Sequence, residues 1–236
     1  MIAKICIFSL SFGIVILGSG MNGTCQSAKK INDYRGKPYN DSRYKGGAQT
    51  IPGRLQCEYY DFGGEGIAFH DSDSINSGSG RLNPADGSYL HEFRINEAVD
   101  ISFTKFQDPG IDNSPYNFVE PEKDQLYVGW TKPGEWIKFT ANIKIPGTYE
   151  LGIMFTSNKG GKISLSVNDI DATGPVSIPS TFVAADSLPF RQWHHWNYID
   201  KIASIDLKKG HQTITLHTVD AGEMNYDYIN FKLVKK

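Results

Sequence analysis

The chain has 236 residues, a net charge of −2, 12% aromatic residues and 24 glycines. That near-neutral balance removes any electrostatic case for nucleic acid or an anionic membrane as partner. The length suits one domain of moderate size, and the aromatic, glycine-rich composition leans toward an all-β, turn-rich fold.

Residues 1–25 read as a signal peptide. Lys4 is followed by an apolar run from Ile5 to Leu17, short for a membrane span, and by small residues from Gly18 to Thr24. No Ala-x-Ala sets a cleavage point. Cys25 follows the small run and leaves two outcomes open: plain secretion, or a lipoprotein anchor at Cys25. Either way the processed protein is expected to be secreted, periplasmic or cell-surface, without an integral span. Only Cys57 and at most Cys25 would remain, which excludes a disulfide framework. Cys57 shares strand parity with Leu55 and reads as a small buried hydrophobe.

Residues 26–50 are polar and aperiodic and read as a linker, with Tyr34, Tyr39 and Tyr44 as its points of contact with a domain over 51–236. In that domain short strands alternate with turn signals. Candidate strands cover 55–60, 67–70 and 98–103, separated by long polar loops at 71–86 and 107–123. The clearest strand is 137–145, where Ile137, Phe139, Ala141, Ile143 and Ile145 share one parity and Lys138, Thr140, Asn142 and Lys144 the other. Further strands follow over 148–155, 162–167, 193–199, 202–207, 212–218 and 226–234. With no sustained 3.6-residue apolar period, this spacing predicts a two-sheet antiparallel β-sandwich of jelly-roll type.

No nucleophile elbow, phosphate loop, His-Glu-x-x-His or Cys-x-x-Cys occurs. His194 and His195 are adjacent, so on a strand they point to opposite faces and cannot chelate one metal. The run Asp71-Ser72-Asp73 has Ile75 at loop position five and Leu82 at position twelve, which removes the ligands of an EF-hand. A glycosidase needs two carboxylates, and nothing in the spacing selects a pair. The tryptophans are more informative. Trp130 and Trp136 flank a Pro133-Gly134 turn, and Trp193 and Trp196 share one short stretch. An indole stacks on the C–H face of a pyranose while neighbouring polar groups bind its hydroxyls. On a strand, the three-residue spacing of Trp193 and Trp196 turns them to opposite faces, which allows one in the core and the other outside; a core position for all four tryptophans is the alternative.

Taken in order, the stretches resemble a family 6 carbohydrate-binding module, a calcium-bearing β-sandwich found with bacterial polysaccharide-degrading enzymes. Leu55-Gln56-Cys57-Glu58-Tyr59-Tyr60 stands for the usual Ile-Glu-Ala-Glu-Asp-Tyr, and residues 63–71 match the Gly-Gly-Glu-Gly-Val-Ala-Tyr-His-Asp of one subgroup. Val128-Gly129-Trp130, Gly134-Glu135-Trp136, Pro146-Gly147-Thr148-Tyr149, the Trp193–Trp196 run and residues 225–231 follow in the family's order. His194-His195 replaces its usual Gln-x. The resemblance implies a sugar site in the loops at one end of the sandwich, with Trp130 and Trp193 gripping a ring and Asn225 bonding its hydroxyls. It makes Trp196 the core tryptophan, and it implies a structural calcium on Gln56, Glu58 and Asp227. Asp227 shares parity with the inward Ile229 and Phe231, where a carboxylate is costly unless it meets a cation. The expected function is non-catalytic binding of a polysaccharide or oligosaccharide, alongside glycoside hydrolases acting on the same glycan. A glycan-active enzyme on the same sandwich, or an adhesion protein, stays open as an alternative.

Overall fold

The computed structural model describes residues 33–220 and 222–236. The expected signal peptide over 1–25, Cys25 and the start of the linker lie outside the described residues. Among the described residues, no helix is long and apolar enough to cross a membrane.

Two sheets face each other. The first contains β1 (Gln49–Ile51), β3 (Phe69–His70), β6 (Trp136–Ile143), β8 (Gly161–Val167), β9 (Ile170–Asp171), β10 (Val176–Ile178) and β12 (Gly210–Asp220). Its main path runs β1-β6-β12-β8-β10. The second contains β2 (Gly53–Gln56), β4 (Ile101–Phe103), β5 (Leu126–Val128), β7 (Gly147–Thr156), β11 (Asn197–Leu207) and β13 (Asn225–Lys235), on the path β11-β7-β13-β5-β4. Pairing is antiparallel except for β1, which runs parallel to β6 with Gln49 opposite Ala141. The predicted all-β sandwich is therefore the observed fold. One short helix, α1 (Tyr89–Glu92), interrupts the loop before β4.

The alternation read along 137–145 is realised in β6. Ile137, Phe139, Ala141 and Ile143 are buried, while Trp136, Lys138, Thr140 and Asn142 are half-buried on the other face. Side chains of opposite parity point to opposite faces, so this strand has one core face and one outer face. β7 departs from that rule. Tyr149, Leu151, Ile153 and Phe155 face the main core, yet Met154 on the opposite face is buried as well. It belongs to a second apolar cluster with Tyr127, Trp196 and Tyr228 on the outside of the second sheet. The loop bearing Trp196 covers this patch, and the indole meets Tyr127 edge-on at 5.3 Å.

Three local readings need correction. The strand expected over 55–60 stops at Gln56, and Cys57–Tyr59 form a 3-10 turn that still buries Cys57 fully. The two strands expected over 193–199 and 202–207 are one long strand, β11, with a bulge between Ile199 and Ala203; Trp193 lies ahead of it in a 3-10 turn. Much of the expected linker, 26–50, is part of the sandwich. Lys37 pairs with Phe62, Tyr39 is buried, and Gln49 begins β1. Aromatic packing accounts for this: Tyr44 stacks on Tyr59 at 4.1 Å, Tyr39 lies 4.9 Å from Phe62, and Asp41 accepts hydrogen bonds from the hydroxyls of Tyr39 and Tyr89.

Candidate functional site: a tryptophan-walled cleft

Trp130 leaves β5 at the loop end of the sandwich. It adopts a left-handed backbone conformation, φ +50°, and remains 36% exposed. A bulky aromatic in that region is strained, and such strain is held by the surroundings where a side chain must be aimed. Here the neighbours on both sides are pinned. The N–H of Gly129 donates to the carbonyl of Asp100 at 2.9 Å. Thr131 Oγ1 donates to the carbonyl of Met224 and accepts the Met224 N–H, which ties this loop to the approach to β13.

Trp193 closes the 3-10 turn Pro189–Trp193. Its indole N–H donates to Glu223 at 3.1 Å, and its carbonyl accepts hydrogen bonds from Asn225 Nδ2 (2.8 Å) and Thr156 Oγ1 (2.7 Å). Asn225 is buried and also donates Nδ2 to Thr156 Oγ1 at 2.9 Å. Its amide nitrogen is thus committed to the scaffold. Its Oδ1 lies toward Gly129, where an added Cβ would approach to 2.8 Å, so only glycine leaves that oxygen room. Trp130, Trp193 and Asn225, widely separated in sequence, line one cleft of about 550 Å³. Leu82, Phe103, Lys105, Ile111, Tyr127, Phe190, His194 and Glu223 complete the lining. The surface is mostly apolar with a few polar atoms, as stacking on a sugar ring requires.

The other two tryptophans lie elsewhere. Trp196 is fully buried, and its indole N–H donates to Asp112 at 2.7 Å. Trp136 opens β6 opposite His217 and next to His70, away from the cleft. Of Trp193 and Trp196, one is core and one lines the opening, although neither lies on a strand.

Sequence reasoning missed the residues that hold Trp193 in place. Asp186 is buried and takes both Arg191 Nε and Nη2 at 2.6 Å, in a bidentate pair, and also meets His195 Nε2 at 2.8 Å. The Arg191 guanidinium beside it holds the Asp186 carboxyl well below the usual carboxylate range, against the opposing effect of burial. His195 Nδ1 contacts the carbonyl of Thr181 at 3.0 Å, so the ring is a packed structural histidine. His194 turns the other way, toward Asp112 at 2.9 Å. Asp112 is a hub, bonding Trp196 and His194 through Oδ1 and the Lys105 N–H through Oδ2. No spacing signal marks Asp112, Asp186 or Glu223, because each sits in an irregular loop that only the fold brings to the tryptophan segment.

At another edge of the sandwich, Gln56, Glu58 and Asp227 come together. Gln56 pairs with Tyr228 across β2 and β13, and Asp227 occupies a bulge where β13 slips against β7 between Tyr226 and Tyr228. Gln56 Oε1, Glu58 Oε2 and Asp227 Oδ1 are all buried without a hydrogen-bond partner. Burial, followed by repulsion from Asp227, pushes the Glu58 carboxyl well up, and burial pushes Asp227 up to about 8. Buried polar atoms are ordinarily satisfied, so three orphan oxygens in one place fit a hard cation with oxygen ligands. Only two of the three residues are carboxylates. Correspondingly, no group of three or more His, Cys, Asp or Glu suited to a metal occurs among the described residues, and the fit depends on the amide oxygen of Gln56.

A profile of the carbohydrate binding module (family 6) matches residues 112–234. No curated protein matches the chain. Among solved structures, a β-1,3-glucan binding module of family 6 from Bacillus halodurans is 13% identical over 78% of this chain and 98% of its own, with a TM-score of 0.45. A family 6 module from Clostridium stercorarium, solved with cellobiose, is 12% identical over 80% and 99%, with a TM-score of 0.45. A module from the Cellvibrio mixtus lichenase 5A, solved with cellotriose, is 21% identical over 46% and 78%, with a TM-score of 0.37.

Proposed function

The chain belongs to family 6 of the carbohydrate-binding modules, and on that premise we propose that its tryptophan-walled cleft grips a saccharide ring of a polysaccharide or oligosaccharide. Trp130 and Trp193 supply the stacking faces, and Asn225 Oδ1 accepts from a sugar hydroxyl. The observation that carries this reading is the meeting of both indoles and one free amide oxygen in a single cleft. Glycoside hydrolysis needs two carboxylates across the bond, whereas Glu223 is the one carboxylate among the residues lining the cleft. In this reading the module holds a glycan for enzymes that cleave it, in a secreted, periplasmic or cell-surface setting.

Three features of Gln56, Glu58 and Asp227 support a structural calcium ion: burial, oxygen donors and unmet hydrogen-bonding capacity. When bound, the ion would neutralise the two carboxylates and tie β2 and its following turn to β13.

The test is affinity electrophoresis or calorimetry against a panel of polysaccharides. Covering one indole face is worth ~1.5–3 kcal/mol, so Trp193→Ala or Trp130→Ala should weaken binding about ten- to hundredfold while the melting temperature stays within a few degrees. Unchanged binding by both variants, or no retention of the wild type on any polymer, overturns the reading.

A further inference from the structure

The lining of the cleft includes a cation that takes part in no ion pair among the described residues. Lys105 is the only lysine or arginine among the lining residues. Its side chain is half-buried, its ammonium lies 5.1 Å from the ring centroid of Phe103, and none of the ion pairs among the described residues involves it. Asp112, the nearby carboxylate, is already engaged by the Lys105 N–H, Trp196 and His194. Glu223, also in the lining, is held by the Trp193 indole and lies 4.0 Å from Lys159.

The lysine is also held in position. Thr104, just before it, exchanges backbone hydrogen bonds with Gln125 and Asp124, and its hydroxyl donates to Glu122 at 2.6 Å. The Lys105 N–H is anchored on Asp112 at 2.7 Å. Phe103 and Lys105 are two residues apart, which on an extended chain places them on the same side. A half-desolvated ammonium on an anchored backbone, with the Asp112 carboxylate nearby but only partly offsetting its burial, is an unmet electrostatic demand. Burial holds its pKa below that of an ordinary lysine, which an approaching anion would reverse.

We infer that the glycan taken by this cleft carries an acidic group, a uronate carboxylate or a sulfate ester, and that Lys105 selects it by pairing with that group while the tryptophans hold the ring. This rests on the sugar-binding reading of the cleft. The experiment measures affinity for polygalacturonate and for a sulfated galactan, each against its own neutral counterpart, the carboxyl-reduced and the desulfated polymer. The expected result is at least about tenfold tighter binding of one acidic polymer than of its neutral form, which also tells uronate from sulfate. Lys105→Gln should erase that difference by weakening the acidic polymer far more than its neutral form, Lys105→Arg should keep it, and raising salt from about 0.05 to about 0.5 M should narrow it. The inference is overturned if the wild type shows no acidic preference, or if Lys105→Gln keeps it or weakens both forms equally. Trp193→Ala, run in parallel, separates the two claims. If it abolishes binding while Lys105→Gln changes no preference, the cleft stands and the acidic ligand falls; if neither variant changes binding, the cleft itself is wrong.

Discussion

Removing calcium gives the sharpest test of the edge where β2 meets β13. Without an ion, Gln56 Oε1, Glu58 Oε2 and Asp227 Oδ1 are three buried oxygens with no partner. Each unsatisfied buried group costs ~1–3 kcal/mol. An ion bound only by the native state at a concentration about 100 times its dissociation constant adds ~2.7 kcal/mol of stability. For a domain of this size that corresponds to ~5–11 °C in melting temperature, at ~2–4 °C per kcal/mol. We expect differential scanning calorimetry to show a fall of that order when a chelator is added, and recovery when calcium is restored in excess. Asp227→Asn should abolish the response to both reagents. Elemental analysis should find about one calcium per chain, as one shared ligand set requires. An unchanged melt in chelator with no metal present would refute the reasoning, as would an Asp227→Asn protein still stabilised by calcium to the wild-type extent.

Two further outcomes test the scaffold around the cleft. Asp100 is buried, accepts the Ser77 N–H at 2.5 Å, and has its pKa pushed up to about 6, first by burial and then by the nearby carboxylates of Asp73 and Glu135. A carboxyl whose native pKa lies above the unfolded value of ~3.9 favours folding below that value and loses this contribution as pH rises through about 6. Urea unfolding at pH values on either side of that window should therefore show Asp100→Asn gaining ~1–3 kcal/mol relative to wild type at the higher pH; parallel profiles would dispose of this account. Asp186→Ala leaves Arg191 buried without its carboxylate, a loss of ~3–5 kcal/mol. It should lower the melting temperature and weaken glycan binding together, because the same turn ends in Trp193. A variant that melts like wild type would show that this network is not what holds the turn.

How much of this was legible in the sequence depends on how local each cause is. The alternation along 137–145 needed no partner to be read, because parity alone decides which side chains of β6 face the core. Trp193 and Trp196 do divide between opening and core, but the strand parity that suggested it does not apply, because Trp193 ends a 3-10 turn and Trp196 precedes β11. Asp227 was legible as an inward carboxylate, but the bulge that gives it room was not, since a bulge exists only relative to the neighbouring strand. In the tract over 26–50 the expected contacts of Tyr39 and Tyr44 are made, on Tyr59, Phe62 and Phe93, but the start of β1 at Gln49 was not legible, because so short a strand is set by its pairing with β6.

By itself the sequence determined an all-β sandwich and the ordered motifs of its family, and through that resemblance it singled out two tryptophans and an asparagine that meet in one cleft. Tertiary structure alone decided what surrounds them. Asp186, Arg191 and His195 lock the turn beneath Trp193, and Glu223 holds its indole. Phe103 and Lys105 complete the cleft from a strand end and loop outside the tryptophan segments. The physical reason is that strand patterning is set by neighbours one or two residues apart. A cleft at the end of a sandwich is assembled from loops whose meeting is fixed only when both sheets have closed over the core.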